Sequence, residues 1–345
     1  MEELVKKIEQ TVDEIKSKDF TIYFFVIDSN GMPNAGVSHI YKQAKHLQDL
    51  GFKTAILVEK DGQKDAGAWV GSHYLGLHHH KAEGVIIKPS DIIVIPEIFS
   101  SIMKAAKDFP CKKVVMAQNY EFGLEVLELG ETWGEYGFND VIVTNDNMVE
   151  FVSDHFKGSK VYKVPVAIDT TYRHFDDVKT PTILVGGRDV EVIKRVIKSF
   201  YLQTPLYSWV TFKHISGMLQ DELTSEMNKA AALVWIDEVA SFGTLPLEAM
   251  ACKLPVIGVV PDMVPEWLTE TNGMWVNSKF DLPAAIESFM NAFIEDLPLI
   301  YELADYTDIP AKYTVEAQKE ALKLTFESIN TDRIKELEKN LKHED

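Results

Sequence analysis

Short apolar runs recur along the chain at intervals that leave room for a helix between them. Residues 21–27 (TIYFFVI) form the first, a continuous β-branched and aromatic run of the kind that fills a parallel strand buried on both faces. From residue 36 to 50 the apolar positions Val37, Ile40, Tyr41, Ala44 and Leu47 follow helical spacing, and Gly51 supplies a stop. Further strands are predicted at 55–58, 92–95, 114–117, 141–144 and 161–166, and a second series at 182–185, 209–212, 232–236, 256–260 and 274–276. Strands that alternate with helical crossovers predict open parallel α/β sheets. The segment 165–181 (PVAIDTTYRHFDDVKTP) is the predicted connection between the two series. A charged helix opens the chain, and from residue 313 onward composition and spacing are again helical.

Length turns two series into two domains, because 345 residues exceed one small core and leave a cleft available for a ligand. The predicted division is 1–168, 169–312 and a terminal helical segment 313–345. A net charge of −18 argues against sequence-independent nucleic-acid binding and against an anionic membrane surface, both of which reward basic patches. Cys111 and Cys252 sit in apolar contexts without metal-ligand spacing, which predicts reduced core thiols. No run is long enough to span a bilayer, and the charged first residues are unlike a signal peptide, so a cytoplasmic location is expected. His78, His79 and His80 have no acidic or cysteine partner spaced with them, and neighbouring side chains on an extended segment point apart; they read as polar side chains turned to solvent, and no metal is expected.

The chemistry concentrates at 241–258 (SFGTLPLEAMACKLPVIG), where a glycine-bearing loop runs into a helix with one acidic residue and then into an apolar strand. Loop amides and a helix N-terminus form an anion site, and a carboxylate one turn further in can accept both hydroxyls of a ribose. Phe242, Gly243, Thr244 and Leu245 would set amides around a phosphate and a sugar, with Thr244 as the expected N-cap and Pro246 in the first turn. Glu248 is the candidate ribose ligand; an acid near a helix start also serves simply to offset the dipole.

This segment resembles the signature of retaining glycosyltransferases of the GT-B superfamily, family 4. The resemblance implies two Rossmann-like, doubly wound parallel-sheet domains that face a central cleft, with C-terminal helices crossing back to the first. Other stretches agree. Asn34-Ala35-Gly36 resembles the family's Gly-rich loop against the donor diphosphate and acceptor, with Ala35 where a second glycine is common; read alone, Gly31, Pro33 and Gly36 equally make a plain turn. Gln118-Asn119-Tyr120-Glu121 resembles the QDYE of a rhamnosyltransferase-like branch, which implies bonds from Gln118 and Glu121 to sugar hydroxyls; without that likeness it reads equally as a solvated loop. Val185-Gly186-Gly187-Arg188 resembles the turn whose Arg contacts the diphosphate, a task suited to a planar, permanently charged fork. The family's following Lys is out of register; Lys194 is the nearest candidate and also reads as a solvent-facing helix residue. The family's first motif glutamate is replaced by Ala240, and register leaves open whether Asp237 or Glu238 reaches the site.

By resemblance the chain is a metal-independent retaining glycosyltransferase, without a cofactor, that moves a hexosyl or deoxyhexosyl group from a nucleotide-diphosphate sugar to a glycan or other acceptor. Arg188, Glu248, Gln118 and Glu121 are the expected catalytic residues. Gly36, Gly187, Arg188, Lys194, Phe242, Gly243, Thr244, Leu245 and Glu248 are the expected donor contacts. The alternative is a degenerate GT-B protein that binds nucleotide-sugar or glycan as the partner of an active transferase, an idea prompted by Ala240 and the displaced Lys.

Overall fold

The computed structural model describes residues 2–26, 28–59, 69–71, 74–295 and 312–343. Ile27, the last residue of the first predicted strand, and residues 344–345 of the predicted terminal segment lie outside them. The chain divides into two units, Met1–Pro165 with Glu316–Asp345, and Val166–Val315.

Unit 1 opens with α1 (Glu2–Lys16), β1 (Thr21–Val26), α2 (Ala35–Asp49) and β2 (Lys53–Val58). It continues through β3 (His78–Lys81), β4 (Ile92–Pro96), α3 (Ser100–Ala105), β5 (Lys112–Ala117) and α4 (Tyr120–Val126), and then β6 (Asp140–Val143), α5 (Asp146–His155) and β7 (Lys160–Lys163). The strands lie in the order β3-β2-β1-β4-β5-β6-β7 and every pairing is parallel. In register, Ile22 faces Ile92, Phe24 faces Val94 and Val94 faces Val114, so these central positions of the sheet are apolar. Its core gathers Phe24, Tyr41, Leu47, Ile56 and Met116 with Leu322 and Phe326 of the terminal helix. The strand order reverses direction between β1 and β4, the topological switch point where open α/β sheets bind ligands.

Unit 2 contains β8 (Thr182–Gly187), α6 (Val190–Gln203), β9 (Thr211–His214), α7 (Gln220–Lys229), β10 (Ala232–Ile236), α8 (Thr244–Ala251), β11 (Val256–Val259), β12 (Met274–Val276) and α9 (Leu282–Glu295). Its sheet runs β12-β11-β10-β8-β9, again all parallel, and its switch point lies between β8 and β10. One face is covered by a cluster around Leu233, Leu247, Met250 and Trp267, which also buries Ile168 and Tyr172 of the connecting segment. The other face packs Val185, Val234 and Ile257 on Phe200, Ile286 and Met290.

The last helix, α10 (Val315–His343), belongs from Glu316 onward to unit 1. Its buried Arg333 donates to the carbonyls of Pro89, Ser90 and Asp91 at 3.0, 2.8 and 3.2 Å, satisfying backbone acceptors that the turn before β4 leaves open. Among the described residues no helix is long and apolar enough to cross a membrane.

Several boundaries shift against the periodicity. The predicted strands at 161–166 and 209–212 are observed as Lys160–Lys163 and Thr211–His214. The histidine tract is a strand, β3, that pairs with β2. Alternation explains its mixed character: His78 and His80 are exposed, while the half-buried His79 lies 2.9 Å from the Tyr41 hydroxyl, and burial lowers its pKa.

Candidate functional site

The site in unit 2 is built at the carboxyl ends of β8 and β10. β8 ends in two glycines because neither position has room for a side chain. A Cβ on Gly187 would lie 2.2 Å from the carbonyl oxygen of Ile236, and one on Gly186 would lie 2.2 Å from Leu245 Cδ2. The Val185–Arg188 turn and the Phe242–Leu245 loop are therefore packed against each other, and Arg188 emerges beside them.

Arg188 does not stand alone. Its Nε donates to Asp237 Oδ2 at 3.0 Å, with the Arg188 side chain 40% exposed and that of Asp237 14% exposed. Burial holds the Asp237 carboxyl above its ordinary value, and Arg188 draws it back. Of the two acids just upstream of Ala240, then, Asp237 orients the guanidinium, whereas Glu238 pairs with Lys279 at 2.7 Å. Ala240 itself is buried.

The N-cap of α8 is Gly243, at φ +74°, and not Thr244; Thr244 is the first helical residue. The reason is steric as well as conformational. A Cβ at 243 would sit 2.7 Å from the Trp235 ring, and left-handed φ favours glycine in any case. Trp235, Trp267 and Trp275 form an aromatic floor with ring centroids 5.9–6.3 Å apart, and Trp267 Nε1 donates to the Phe242 carbonyl at 2.7 Å. This floor, which the sequence pattern did not disclose, fixes the loop. Because glycine has no side chain to accept from the first turn, α8 begins without a side-chain cap, which leaves its N-terminus suited to an outside acceptor such as phosphate.

Glu248 lies on the next turn of α8 and is half-buried. Its neighbour is Tyr172 of the connecting segment. The Tyr172 phenol is pushed well above its ordinary value, first by burial and then by the charge of Glu248, with Asp169, Cys252 and a hydrogen bond to Glu248 adding to the shift. Cys252 is a buried free thiol raised to about 12, chiefly by burial. Lys194, by contrast, is on an exposed face of α6 and pairs with Glu191 at 2.7 Å. Asp189 caps that helix by accepting from the amides of Glu191 and Val192.

In unit 1 the structure brings Gly36 and Gln118 together. Gln118 Nε2 donates to the Gly36 carbonyl at 3.4 Å, and a Cβ on Gly36 would meet Asn34 Oδ1 at 3.3 Å and Gln118 Oε1 at 3.4 Å. Asn34 and Asn119 are the N-caps of α2 and α4, accepting from Val37 N and Glu121 N. Glu121 thus stands in the first turn of α4, half-buried. Behind this turn lies a residue that strand periodicity passed over, Glu97, directly after β4. It is 2% exposed, and its Oε1 accepts from the amides of Gln118 and Asn119 at 3.0 and 2.7 Å. The signal was an acid closing a wholly apolar strand, IIVIPE.

No protein-family model matches the chain, and no curated protein matches it in sequence. Solved structures do match its fold. HepE from Anabaena, determined in complex with UDP-glucose, superimposes with a TM-score of 0.65 at 14% identity, covering 89% of this chain and 99% of that one. Sucrose-phosphate synthase from Thermosynechococcus elongatus gives 0.63 at 12% identity over 91% of this chain and 100% of that one. The pneumococcal O-GlcNAc transferase GtfA, in complex with UDP and GlcNAc, gives 0.62 at 10% identity over 90% and 99%. The fold is therefore GT-B: two Rossmann-like parallel sheets with helices, and a terminal helix returned to the first unit.

Proposed function

We propose that the protein transfers a sugar from a nucleoside-diphosphate donor held by unit 2 to a hydroxyl acceptor held by unit 1. The observation that carries this reading is the pairing, on one sheet edge, of an oriented guanidinium with a glycine-started helix. Arg188 is aimed by Asp237, and α8 offers its N-terminus beside it through Gly243. Both favour negative charge, so both stabilise the diphosphate more as it departs than before, which is the condition for lowering a barrier. Glu248 accepts the ribose diol, and Tyr172 steers its carboxylate. Gln118 and Glu121 bond the incoming sugar. Uracil is the base of first choice, because the HepE and GtfA structures were determined with UDP or a UDP-sugar. In keeping with the family-4 resemblance, the anomeric configuration is retained, the leaving phosphate takes the acceptor proton, and no metal is required.

The test is release of free nucleoside diphosphate from a panel of UDP-, GDP- and dTDP-sugars, run with and without EDTA. Turnover of one donor, unaffected by chelation and yielding a product of unchanged anomeric configuration by NMR, supports the proposal. A second reading, a non-catalytic nucleotide-sugar binder, is favoured by one specific observation, the buried Ala240 where the family carries a glutamate. Tight calorimetric binding of UDP with every donor intact after long incubation would establish that reading and remove the first.

A further inference from the structure

A carboxylate enclosed among aliphatic strands is costly to keep, and it persists only where hydrogen bonds hold it. Glu97 is such a group. It follows β4 at the switch point of unit 1, its own amide donates to the Met116 carbonyl at 3.2 Å, and one carboxylate oxygen receives two neighbouring amides, those of Gln118 and Asn119. Those amides belong to the turn that joins β5 to α4. The same turn sends the Gln118 side chain to the Gly36 carbonyl and makes Asn119 the cap of α4. A single oxygen therefore sets the shape of a turn whose two polar side chains each hold a second element.

We propose that Glu97 is a positioning residue: by clamping consecutive amides it fixes the Gln118–Glu121 turn and so presents the Gln118 side chain to a sugar hydroxyl. The clamp stands on the geometry; only the identity of what is presented to a sugar rests on the function proposed above. The group is also ionisable in the neutral range. Burial pushes the Glu97 carboxyl up to about 7, against the opposing pull of its own amide and those of Asn119 and Gln118, and no charged side chain contributes. Apart from tyrosines, the charged or titratable side chains on the elements that follow β1, β4 and β5 are Asp28 in the loop before α2, His39, Lys42, Lys45, His46 and Asp49 on α2, Lys104 on α3, and Glu121 and Glu125 on α4. β1 and β5 themselves end in Phe25-Val26 and Met116-Ala117.

Two substitutions on the full chain separate the clamp from simple filling of space. Glu97→Gln keeps an acceptor oxygen and loses the titration, and Glu97→Leu loses both. In hydrogen exchange the amides of Gln118 and Asn119 should open at least about tenfold faster in Glu97→Leu, with Val114 and Val115 in β5 unchanged and Glu97→Gln close to the parent. By NMR, those two amides should titrate with a midpoint near 7 in the parent and stay flat in Glu97→Gln. With UDP-glucose as donor probe and glucose as acceptor probe, Glu97→Leu should raise the acceptor KM about tenfold and leave the donor KM within twofold, and Glu97→Gln should restore it. Unchanged exchange in a folded Glu97→Leu, or a parent whose two amides do not titrate, overturns the clamp. If the exchange and titration behave as expected but no sugar is transferred by the parent, the clamp stands and the transferase reading falls. Should Glu97→Leu fail to fold, the amide titration in parent and Glu97→Gln decides alone.

Discussion

The carboxyl edges of the two sheets are finished in opposite ways. In unit 1, β1, β5 and β6 each run into an asparagine, Asn34, Asn119 or Asn145, whose side chain caps the following helix, and the buried Glu97 carboxylate takes two further amides. At each of these three helix starts an amide that would attract an anion is satisfied by the protein's own oxygen, whereas the short α3 after β4 begins without a side-chain cap. In unit 2 the cap of α8 is a glycine with no oxygen to offer, next to a guanidinium braced by Asp237. The α6 cap, Asp189, shows that this unit also uses side-chain capping where it is not building the loop at 241–245. Two sheets wound by the same rule thus present edges of different charge preference. On the function proposed above, one would take the phosphate and the other the neutral acceptor.

The sharpest way to break this contrast is to add one methyl group to each edge. At Gly187 a Cβ would meet a backbone carbonyl at 2.2 Å, which has nowhere to go, so Gly187→Ala should cost about 3 kcal/mol or more in urea denaturation. At Gly36 the contacts are at 3.3 and 3.4 Å, with the ends of the Asn34 and Gln118 side chains, and Gly36→Ala should cost about 1 kcal/mol or less. Equal losses would mean that the close packing of β8 on β10 is no more rigid than the first turn of α2.

The pH dependence of stability tests the acidic edge. The Glu97 carboxyl is raised in the folded protein to about 7 from an ordinary value of 4.5, so the native state holds a proton that the unfolded chain releases. Its contribution is present below about pH 4.5 and is lost as pH rises to about 7, by up to about 3 kcal/mol for a shift of this size. Subtracting the Glu97→Gln profile from that of the parent isolates it. A difference that grows with pH over this window has the wrong sign and removes the buried acid from the account.

How far the two edges could be read in advance follows from what periodicity registers. Continuous apolar runs marked the parallel strands, because a strand buried on both faces has no polar positions to interrupt it. Polar β3 escaped for the same reason: His78–Lys81 lies at the sheet edge, where alternate side chains meet water. Arg188, the 242–245 loop and Glu248 were singled out because each motif is local, Arg188 directly after β8 and 242–248 between β10 and the first turns of α8, and because both resemble stretches of one family. The roles of Asp237, Tyr172, Glu97 and Trp267 could not be read that way, because each acts on a residue from another part of the chain: Asp237, whose reach register left open, on Arg188, Tyr172 on Glu248, Glu97 on the Gln118–Asn119 turn, and Trp267 on Phe242. Thr244 was misplaced by one position because its hydroxyl suits a cap in the abstract, while the space above Trp235 admits only glycine.

The cationic edge is tested next by ligand affinity. Replacing Arg188 with Lys keeps the charge but loses the planar fork that engages Asp237 and that, on the function proposed above, would bond a phosphate as well. UDP binding by calorimetry should weaken by about 1.5–3 kcal/mol, or roughly 10- to 100-fold. Glu248→Ala should weaken UDP by a smaller factor, about tenfold, with the fold intact, and should leave binding of inorganic pyrophosphate within twofold, since the ribose is then absent. Loss of pyrophosphate binding in Glu248→Ala would assign Glu248 to the phosphates or to the integrity of α8 instead.

The smallest expected effect defines how far the cationic edge extends. Lys194 sits in the second turn of α6 on its exposed side, in an i,i+3 pair with Glu191 that is open to solvent at both ends. Such a pair contributes little to stability, and its charge is screened within about 10 Å at ordinary salt. Lys194→Ala should therefore change UDP affinity by less than twofold, while Arg188→Lys changes it strongly. A tenfold loss at Lys194 would mean that the side chain leaves Glu191 for the ligand and that the donor site reaches along α6. The anion preference of unit 2 would then belong to a whole helix face, and the contrast with unit 1 would be one of surface charge, with the cap at Gly243 only a part of it.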